Sequence, residues 1–176
     1  RIARGSERTI RRPIVALGNF DGLHRGHQKI VERVCRQARE QGATAVVMTF
    51  DPHPPRIVRP DKAPPLIMTK AQRLEAIAAA GIQGTAVVRF THELSQWDPE
   101  TFVRTVLVDW LRVAEVWVGA NFLFGRDRAG NRRRVGVRGG ADQGVGIDHD
   151  RPHRTETGDA NYTAVVPRES ASGMSV

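Results

Sequence analysis

Short apolar runs alternate with helix-like segments three times in the first 119 residues, and this alternation limits the fold more than any other feature. The runs are residues 14–17 (IVAL), 44–50 (TAVVMTF), 85–90 (TAVVRF) and 114–119 (AEVWVG), and each is typical of a buried strand. Strands that alternate with helices in this way form a mostly parallel sheet. The sequence therefore predicts an open α/β fold with helices on both faces of the sheet.

The intervening segments carry local signals for helix ends. Apolar residues at helical spacing follow the first run and stop before Gly42, a residue type that commonly ends helices. Thr69 and Gln72 have the spacing of a capping box. Asp98 followed by Pro99 is a typical helix start. The sequence thus predicts one helix between each pair of consecutive strands.

Residues 51–66 (DPHPPRIVRPDKAPPL) contain six prolines directly after the second run. Proline lacks a backbone N–H and fixes φ, so the segment is predicted to be a stiff surface loop rather than a regular helix or central strand. Such a loop past the carboxyl end of a strand lies where open α/β sheets place their ligand contacts.

Composition narrows the possible partners and compartments. The chain has 176 residues, enough for one ordinary domain, and no apolar run approaches the roughly 18 residues of a membrane span. Residues 1–13 contain no apolar segment typical of a signal peptide, and the single cysteine, Cys35, excludes an internal disulfide, which fits a reducing compartment. A cytoplasmic location is therefore predicted, and Cys35 is expected in the core. The net charge of +8 favours anionic partners, from nucleotides to nucleic acids.

The segment GNFDGLHRGHQK, residues 18–29, joins the first strand to the first helix and is the most informative stretch for chemistry. Gly18, Gly22 and Gly26 let backbone amides approach an anion, and the helix start adds partial positive charge. His24 and His27 lie three residues apart, so both imidazoles can reach one cluster of phosphoryl oxygens. Residues 18–27, called the cradle below, are therefore predicted to bind phosphate.

Other interpretations of the cradle are weaker. Two histidines at this spacing could bind zinc, but no third ligand is evident nearby, and no metal ligand is predicted. Two surface histidines without a role would leave the flanking glycines unexplained. The segment is neither a Walker A loop nor a G-x-G-x-x-G fingerprint, so neither a P-loop kinase nor a dinucleotide dehydrogenase is predicted.

Three ordered segments resemble the FMN adenylyltransferase (FAD synthetase) domain of the bacterial bifunctional riboflavin kinase/FMN adenylyltransferase family, within the HxGH nucleotidyltransferase superfamily. The first is residues 18–27 (GNFDGLHRGH), which is similar to that family's G-x-F-D-G-x-H-x-G-H motif. Residues 49–54 (TFDPHP) resemble its T-F-x-P-H-P segment. Residues 119–130 (GANFLFGRDRAG) resemble its G-x-[DN]-F-x-F-G-x-x-R-x-G segment. Cytidylyltransferases share the first motif but not the other two.

The resemblance implies a Rossmann-like fold and transfer of AMP from ATP to FMN, which gives FAD and pyrophosphate with Mg²⁺ accompanying the ATP. ATP and FMN are the expected partners, with neither nucleic acid nor membrane. His24 and His27 would be the catalytic pair. ATP and its phosphates would be bound by Gly18, Asn19, Phe20, Asp21, Gly26 and Arg128. FMN would be bound by Asp51, Pro52, His53, Asn121 and Phe122.

The sequence departs from the family after about residue 131. Residues 132–176 contain no Leu, Phe or Trp, and no Ser-Ser-Thr-x-x-Arg segment, whose counterpart in the family binds ATP phosphates, is present. We therefore expect a nucleotidyltransferase domain at residues 1–131, a mostly disordered tail at 132–176 in which only YTAVV could form a strand, and no riboflavin kinase domain. The last strand and helix of the fold would be missing, which would leave one sheet edge unpaired. A divergent tail, a fragment and out-of-frame translation remain possible explanations.

Two other functions stay open on the sequence alone. One is a nucleotide- or flavin-binding protein that keeps the cradle but is catalytically impaired. The other is a basic nucleic-acid-binding domain, whose affinity would fall steeply with salt. The second alternative leaves the grouping of His24, Gly26 and His27 unexplained.

Overall fold

The computed structural model describes residues 10–119, 125–126, 145–146 and 162–167. Within these residues the strands are β1 (Ile14–Leu17), β2 (Ala45–Asp51), β3 (Gly84–Arg89), β4 (Glu115–Val118), β5 (Val145–Gly146) and β6 (Tyr162–Pro167). They form one sheet in the order β5-β4-β1-β2-β3-β6. The four central strands are all parallel, as the alternating pattern predicts.

Helices connect the parallel strands. They are α1 (Arg25–Glu40), α2 (Pro54–Val58), α3 (Lys70–Ala79), α4 (His92–Ser95) and α5 (Pro99–Phe102), with a 3₁₀ turn at Pro60–Lys62. A π-helix, Val103–Trp110, continues directly from α5 and leads towards β4. One helix of several turns, α1 or α3, therefore lies in each of the first two connections, and the third contains α4, α5 and the π-helix.

The core consists of two apolar layers on opposite faces of the sheet. Side chains alternate along each strand, so Ile14 and Ala16 pack on one face and Val15 and Leu17 on the other. The first layer packs against α1 and α3, and half-buried Cys35 lies beside it, as expected of a core cysteine. The second layer packs against α4, α5 and the π-helix. Helices on both faces of a mostly parallel sheet confirm the predicted α/β fold.

The predicted helix ends are confirmed. Thr69 and Gln72 form a reciprocal capping box at the start of α3. Asp98 caps α5 by accepting bonds from the backbone N–H groups of Glu100 and Thr101, both 3.0 Å away. Its bonds to the hydroxyl and backbone of Thr101 lower the pKa of the Asp98 carboxyl. Gly42, just after α1, has φ +61°, a left-handed conformation that favours glycine.

The proline-rich segment differs from the predicted loop, because it contains the single-turn helix α2 and a 3₁₀ turn. Prolines occupy the first helical positions of both turns, where a missing N–H breaks no intrahelical bond. Proline is therefore tolerated in two short turns, although it would interrupt a longer helix.

The sheet edges also differ from the prediction. Strand β6, which contains the predicted YTAVV strand, pairs antiparallel with β3, and β5 pairs antiparallel with β4. The expectation of an unpaired edge is therefore wrong, because two segments from beyond residue 131 supply backbone hydrogen-bonding groups to the two outer parallel strands. The rest of the predicted tail lies outside the described residues, and the division of the chain at residue 131 stays a prediction.

Across the residues that the structure describes, no helix is both long and apolar enough to cross a membrane.

Candidate active site

The candidate site lies at the carboxyl ends of β1 and β2. Because the central strands are parallel, the segments that follow Leu17, Asp51 and Val118 leave the same edge of the sheet. The chain continues from β1 to β2 and β3 on one side, whereas β4 lies on the other side of β1. The strand order thus reverses beside β1, and ligands of open α/β sheets bind at such a reversal.

The start of the cradle is held against β2. The Gly18 N–H donates to the Met48 carbonyl at 3.1 Å, and the Asn19 carbonyl accepts a bond from the Thr49 hydroxyl at 2.9 Å. Phe20 has φ +50°, a left-handed conformation that non-glycine residues rarely adopt, and its ring is buried against α1. A Cβ at Gly18 would lie 3.2 Å from that ring, so glycine gives Phe20 its space.

His24 is the N-cap of α1. Its Nδ1 accepts bonds from the backbone N–H groups of Gly26 and His27, at 3.2 and 3.4 Å. Since Nδ1 accepts, the proton of a neutral His24 ring lies on Nε2. A Cβ at Gly26 would meet the His24 ring at 3.1 Å, so the glycine in H-x-G-H leaves room for the capping imidazole.

His27 lies one helical turn further along α1 and stacks on His24. The two ring centroids are 3.8 Å apart with the planes tilted by 21°, and the Phe20 ring lies 4.8 Å away. His27 Nδ1 is 3.2 Å from the Gly22 carbonyl, which only accepts, so Nδ1 carries a proton. Burial lowers the pKa of His27, the bond to Gly22 raises it, and the charge of His24 lowers it. The free site therefore favours a neutral His27.

Asp21 contacts a segment that precedes α3. Its Oδ1 accepts bonds from the backbone N–H groups of Ile67 and Met68, both at 3.1 Å, and Oδ2 lies 3.2 Å from the Ile67 N–H. The Ile67 side chain is 75% exposed and lies over Gly22, where a Cβ would be 3.2 Å from it. Asp21 thus ties the cradle to residues 67–68.

Asp51 ends β2 and faces two cations of α3. Its Oδ2 lies 3.0 Å from Nζ of the exposed Lys70, and its Oδ1 lies 3.9 Å from Nη2 of the buried Arg73. Arg73 Nη1 also donates to the Asn19 carbonyl at 3.3 Å. The predicted flavin side and the predicted phosphate side are therefore joined by one arginine.

His53, the residue before α2, is buried in the same region. Its Nδ1 has no hydrogen-bond partner among the described residues, and its side chain makes no cap bond to α2. Burial lowers the pKa of His53, the charge of Asp21 raises it, and the charges of Arg73 and Arg56 lower it. Between Asp51 and His53, the Asp51–Pro52 peptide bond is cis.

The structure brings together the predicted residues Gly18 to Asp21, His24, Gly26 and His27, with Asp51 linked to them. Three other predicted residues, Asn121, Phe122 and Arg128, lie outside the described residues. Of the residues between Phe122 and Arg128, Gly125 and Arg126 are described, and the Arg126 N–H donates to the Trp97 carbonyl at 2.8 Å, next to the start of α5. Arg126 is exposed.

Sequence reasoning missed Arg73. One signal was available, since Arg73 lies four residues before the core residue Ile77 and so occupies the apolar face of α3. A charged residue on an apolar face needs a buried partner.

Within residues 10–119 and the three shorter described segments, no group of three or more His, Cys, Asp or Glu side chains could hold a metal ion. Asp21, the acidic side chain of the cradle, is already bonded to backbone N–H groups.

The family model and the curated relatives indicate one family. A family model described as FAD synthetase matches residues 6–157. The bifunctional riboflavin kinase/FMN adenylyltransferase of Escherichia coli strain K12 is 32% identical over 118 residues, which are 67% of this chain and 38% of that protein. The enzyme of that name from Pseudomonas fluorescens is 36% identical over the same shares, and that from Bacillus subtilis strain 168 is 32% identical over 69% of this chain and 39% of that protein. The chain spans about two fifths of the length of these curated relatives.

A solved structure has a similar fold. It is described as a macrolide-efflux protein from Streptococcus pneumoniae, and it superposes with a TM-score of 0.59 at 25% sequence identity. The match covers 68% of this chain and 40% of that one. The likeness supports the α/β architecture.

Proposed function

Because this chain belongs to the FAD synthetase family, we propose that it transfers AMP from ATP to FMN. A phosphate oxygen of FMN attacks the α-phosphorus of ATP, and the bond from that phosphorus to the bridging oxygen of the β-phosphate breaks. FAD and pyrophosphate are the products. No side chain acts as a nucleophile, so catalysis depends on positioning the two phosphates and stabilising negative charge.

The stacked pair of His24 and His27 at the start of α1 is the observation that carries this proposal. Both rings lie where a helix start favours anions, and the ring nitrogens that make no backbone contact are the two Nε2 atoms. Neutral His24 has Nε2–H as a donor. Neutral His27 has a lone pair on Nε2, because its proton lies on Nδ1.

A phosphate bound at this pair would favour a proton on Nε2 of His27. The resulting imidazolium donates to Gly22 through Nδ1 and to a phosphoryl oxygen through Nε2. Its positive charge offsets the charge that develops as pyrophosphate leaves. We expect triphosphate binding near neutral pH to be accompanied by proton uptake, because an opposing charge raises the pKa of an imidazole.

The flavin side is proposed to comprise Asp51, Pro52 and His53, with Asn121 and Phe122. Its support is position, since Asp51 ends the strand next to β1 and is connected to the cradle through Arg73. Arg128 is proposed as an additional phosphate contact, as its place in the motif implies. A cytoplasmic location remains a prediction.

Mg²⁺ is proposed to enter with ATP rather than to occupy a site of the protein. The described acidic side chains do not form a ligand cluster, and Asp21 is committed to backbone N–H groups. Phosphate oxygens and water are among the ligands that Mg²⁺ takes in such complexes, where it neutralises phosphate charge.

The direct test is FAD formation by the purified chain with ATP, FMN and Mg²⁺, followed by chromatography. We expect FAD above the level of a His24→Ala/His27→Ala control. The single variant His27→Ala should retain the fold and lose about a hundredfold in rate, the usual size of such an electrostatic contribution. Unchanged turnover in His27→Ala would remove this residue from the mechanism.

Binding without turnover would favour the alternative function, a nucleotide- or flavin-binding protein. The sequence feature behind that alternative is the missing Ser-Ser-Thr-x-x-Arg segment. FMN fluorescence quenching and calorimetry with a non-hydrolysable ATP analogue would detect binding independently of product.

A further inference from the structure

Arg73 is a buried cation between the two halves of the candidate site. It is 4% exposed, and its guanidinium contacts Asn19 in the cradle and Asp51 at the end of β2. Its Nε has no hydrogen-bond partner among the described residues. A buried cation with one donor unsatisfied is an expensive way to fill an apolar helix face. Both contacts of its guanidinium lie outside α3, so they connect α3 to other parts of the chain.

The contact with Asn19 reaches the catalytic pair through the backbone. Asn19 precedes Phe20, whose left-handed conformation turns the chain and places its ring 4.8 Å from His27. The Asn19 carbonyl is fixed by two donors, Thr49 and Arg73. Displacing that carbonyl would therefore displace Phe20 and loosen the packing around His27.

The contact with Asp51 acts on the other half of the site. Lys70 also pairs with this carboxylate, but its side chain is 51% exposed, so water screens the pair. The Arg73 side chain is 5% exposed, and it contacts both halves. The two cations therefore provide a matched comparison: both face Asp51, and only Arg73 is bonded to Asn19.

We propose that Arg73 is a positioning residue, which sets the cradle relative to the segment that begins at Asp51 by holding the Asn19 carbonyl and the Asp51 carboxylate together. This inference rests on the proposed function for its kinetic consequence, whereas its structural consequence is independent of turnover. Arg73 acts through the residues that it holds rather than through a contact with either substrate.

Four variants test the proposal. Arg73→Met removes the charge and the donors at similar length, and Arg73→Lys keeps the charge without the fork that spans two partners. Thr49→Val removes the other donor to Asn19, and Lys70→Met removes the exposed cation. Each variant is assayed for kcat and for KM with FMN and with ATP. The pKa of His27 is measured in each by NMR titration of its ring.

The expected result is graded. Arg73→Met should lower kcat about 10- to 100-fold and raise KM for FMN, because the reacting phosphates are no longer held in line. Arg73→Lys should recover part of kcat, and Lys70→Met should change either constant less than threefold. In a fifth chain, the double variant Arg73→Met/Thr49→Val, the two effects should be non-additive, since both act through the Asn19 carbonyl.

The pKa of His27 gives the readout that does not depend on FAD formation. Burial is the main cause of its lowering, and the charge of Arg73 is not among the causes. A rise of the His27 pKa towards its ordinary value in Arg73→Met therefore reports a loosened cradle. Lys70→Met should leave this pKa unchanged.

The proposal is overturned if folded Arg73→Met keeps kcat, KM and the His27 pKa, or if Lys70→Met changes them as much. If Arg73→Met does not fold, Arg73→Lys and Thr49→Val decide by the same readouts, and an unchanged His27 pKa in both overturns it. If the unsubstituted chain forms no FAD, the proposed function fails, and the His27 pKa series still decides the role of Arg73.

Discussion

At the residue scale, His24 combines a structural and a chemical role in one ring. Nδ1 caps α1 and thereby fixes which ring atom carries the proton. Gly26 leaves space for the ring, and His27 stacks on it. The H-x-G-H spacing is therefore explained by contacts within one helical turn.

The two roles of His24 can be separated by substitution. Asparagine is a good N-cap, so His24→Asn should keep the stability of the unsubstituted chain, whereas His24→Ala should lose about 1 kcal/mol of unfolding free energy. Both should lose FAD formation about a hundredfold, because both lack the imidazole. Urea unfolding and the FAD assay measure the two effects. Full turnover in His24→Asn would contradict the chemical role.

We expect Asp21 to hold the cradle against residues 67–68 rather than to bind a metal ion. Asp21→Ala leaves two backbone N–H groups without their carboxylate acceptor and should cost about 1.5 kcal/mol of unfolding free energy. Asp21→Asn keeps Oδ1, which accepts bonds from the N–H groups of both Ile67 and Met68. It should therefore lose less unfolding free energy than Asp21→Ala. Hydrogen exchange at those two amides should be slowest in the unsubstituted chain, faster in Asp21→Asn and fastest in Asp21→Ala. Equal exchange in all three chains would refute the tie.

Burial of His53 predicts a pH dependence of stability. Its pKa is lowered in the folded chain, so below the ordinary value of about 6.5 the unfolded chain takes up a proton that the folded chain does not. The free energy of unfolding should therefore fall as the pH drops below about 6.5, by at most about 1.4 kcal/mol per pH unit from this ring.

The control variant is His53→Gln. Between pH 7.5 and 5.5 its free energy of unfolding should fall less than that of the unsubstituted chain. Because the pKa of His27 is also lowered, His27 decreases the free energy of unfolding at low pH in both the unsubstituted chain and His53→Gln. Denaturant unfolding across this range measures the slopes. Identical slopes would show that His53 does not cause the dependence.

At the element scale, the helical connection from β3 to β4 is stabilised by Asp98, the N-cap of α5. Asp98 starts α5, and the chain continues as the π-helix Val103–Trp110, which contributes Val106 and Leu107 to the core. Local signals predicted the start of this helix but not its π geometry. The hydrogen-bonding pattern of the later turns depends on how the helix fits against the sheet.

Replacement of the cap should destabilise this connection. Asp98→Ala removes the acceptor of the Glu100 and Thr101 N–H groups and should cost about 1 to 2 kcal/mol of unfolding free energy. Asp98→Ser, which can still cap, should cost much less. Thermal and urea unfolding distinguish the variants, and equal stability of Asp98→Ala and Asp98→Ser would refute the capping role.

At the scale of the whole molecule, the sheet is completed at both sides by short strands from the C-terminal region. The β3 edge is covered by β6, with Gly84 opposite Pro167 and Ala86 opposite Val165. An uncovered strand edge presents unpaired N–H and C=O groups and favours aggregation. Strand β6 is therefore expected to protect β3.

Truncation tests this protection. A chain that ends at residue 160 should exchange the β3 amides faster and aggregate more readily than the full chain, since β3 loses its antiparallel partner. A chain that ends at residue 168 keeps β6 and is the control. Hydrogen exchange resolved to β3 peptides gives the measurement. Equal protection of β3 in the two truncated chains would mean that β6 does not cover this edge.

The sequence by itself determined the α/β class, the helix caps and the cradle. Each of these depends on residues that are close together in the sequence. They are the alternation of strand-like and helix-like apolar patterns, the spacing of Thr69 and Gln72, and the glycines and histidines of residues 18–27. Even so, it indicated the wrong outcome for the sheet edge. YTAVV was recognised as a possible strand, but no local signal showed that it pairs with β3 through its backbone.

The tertiary structure alone decided which distant residues meet. Arg73 bonds to Asn19, 54 positions earlier in the chain, and Asp21 bonds to Ile67, 46 positions later. Such contacts have no local signature, because parallel strands bring together chain segments that are separated by a helix and a loop. The physical reason is topological: the sheet gathers the carboxyl ends of its strands at one edge, and only there do these side chains become neighbours.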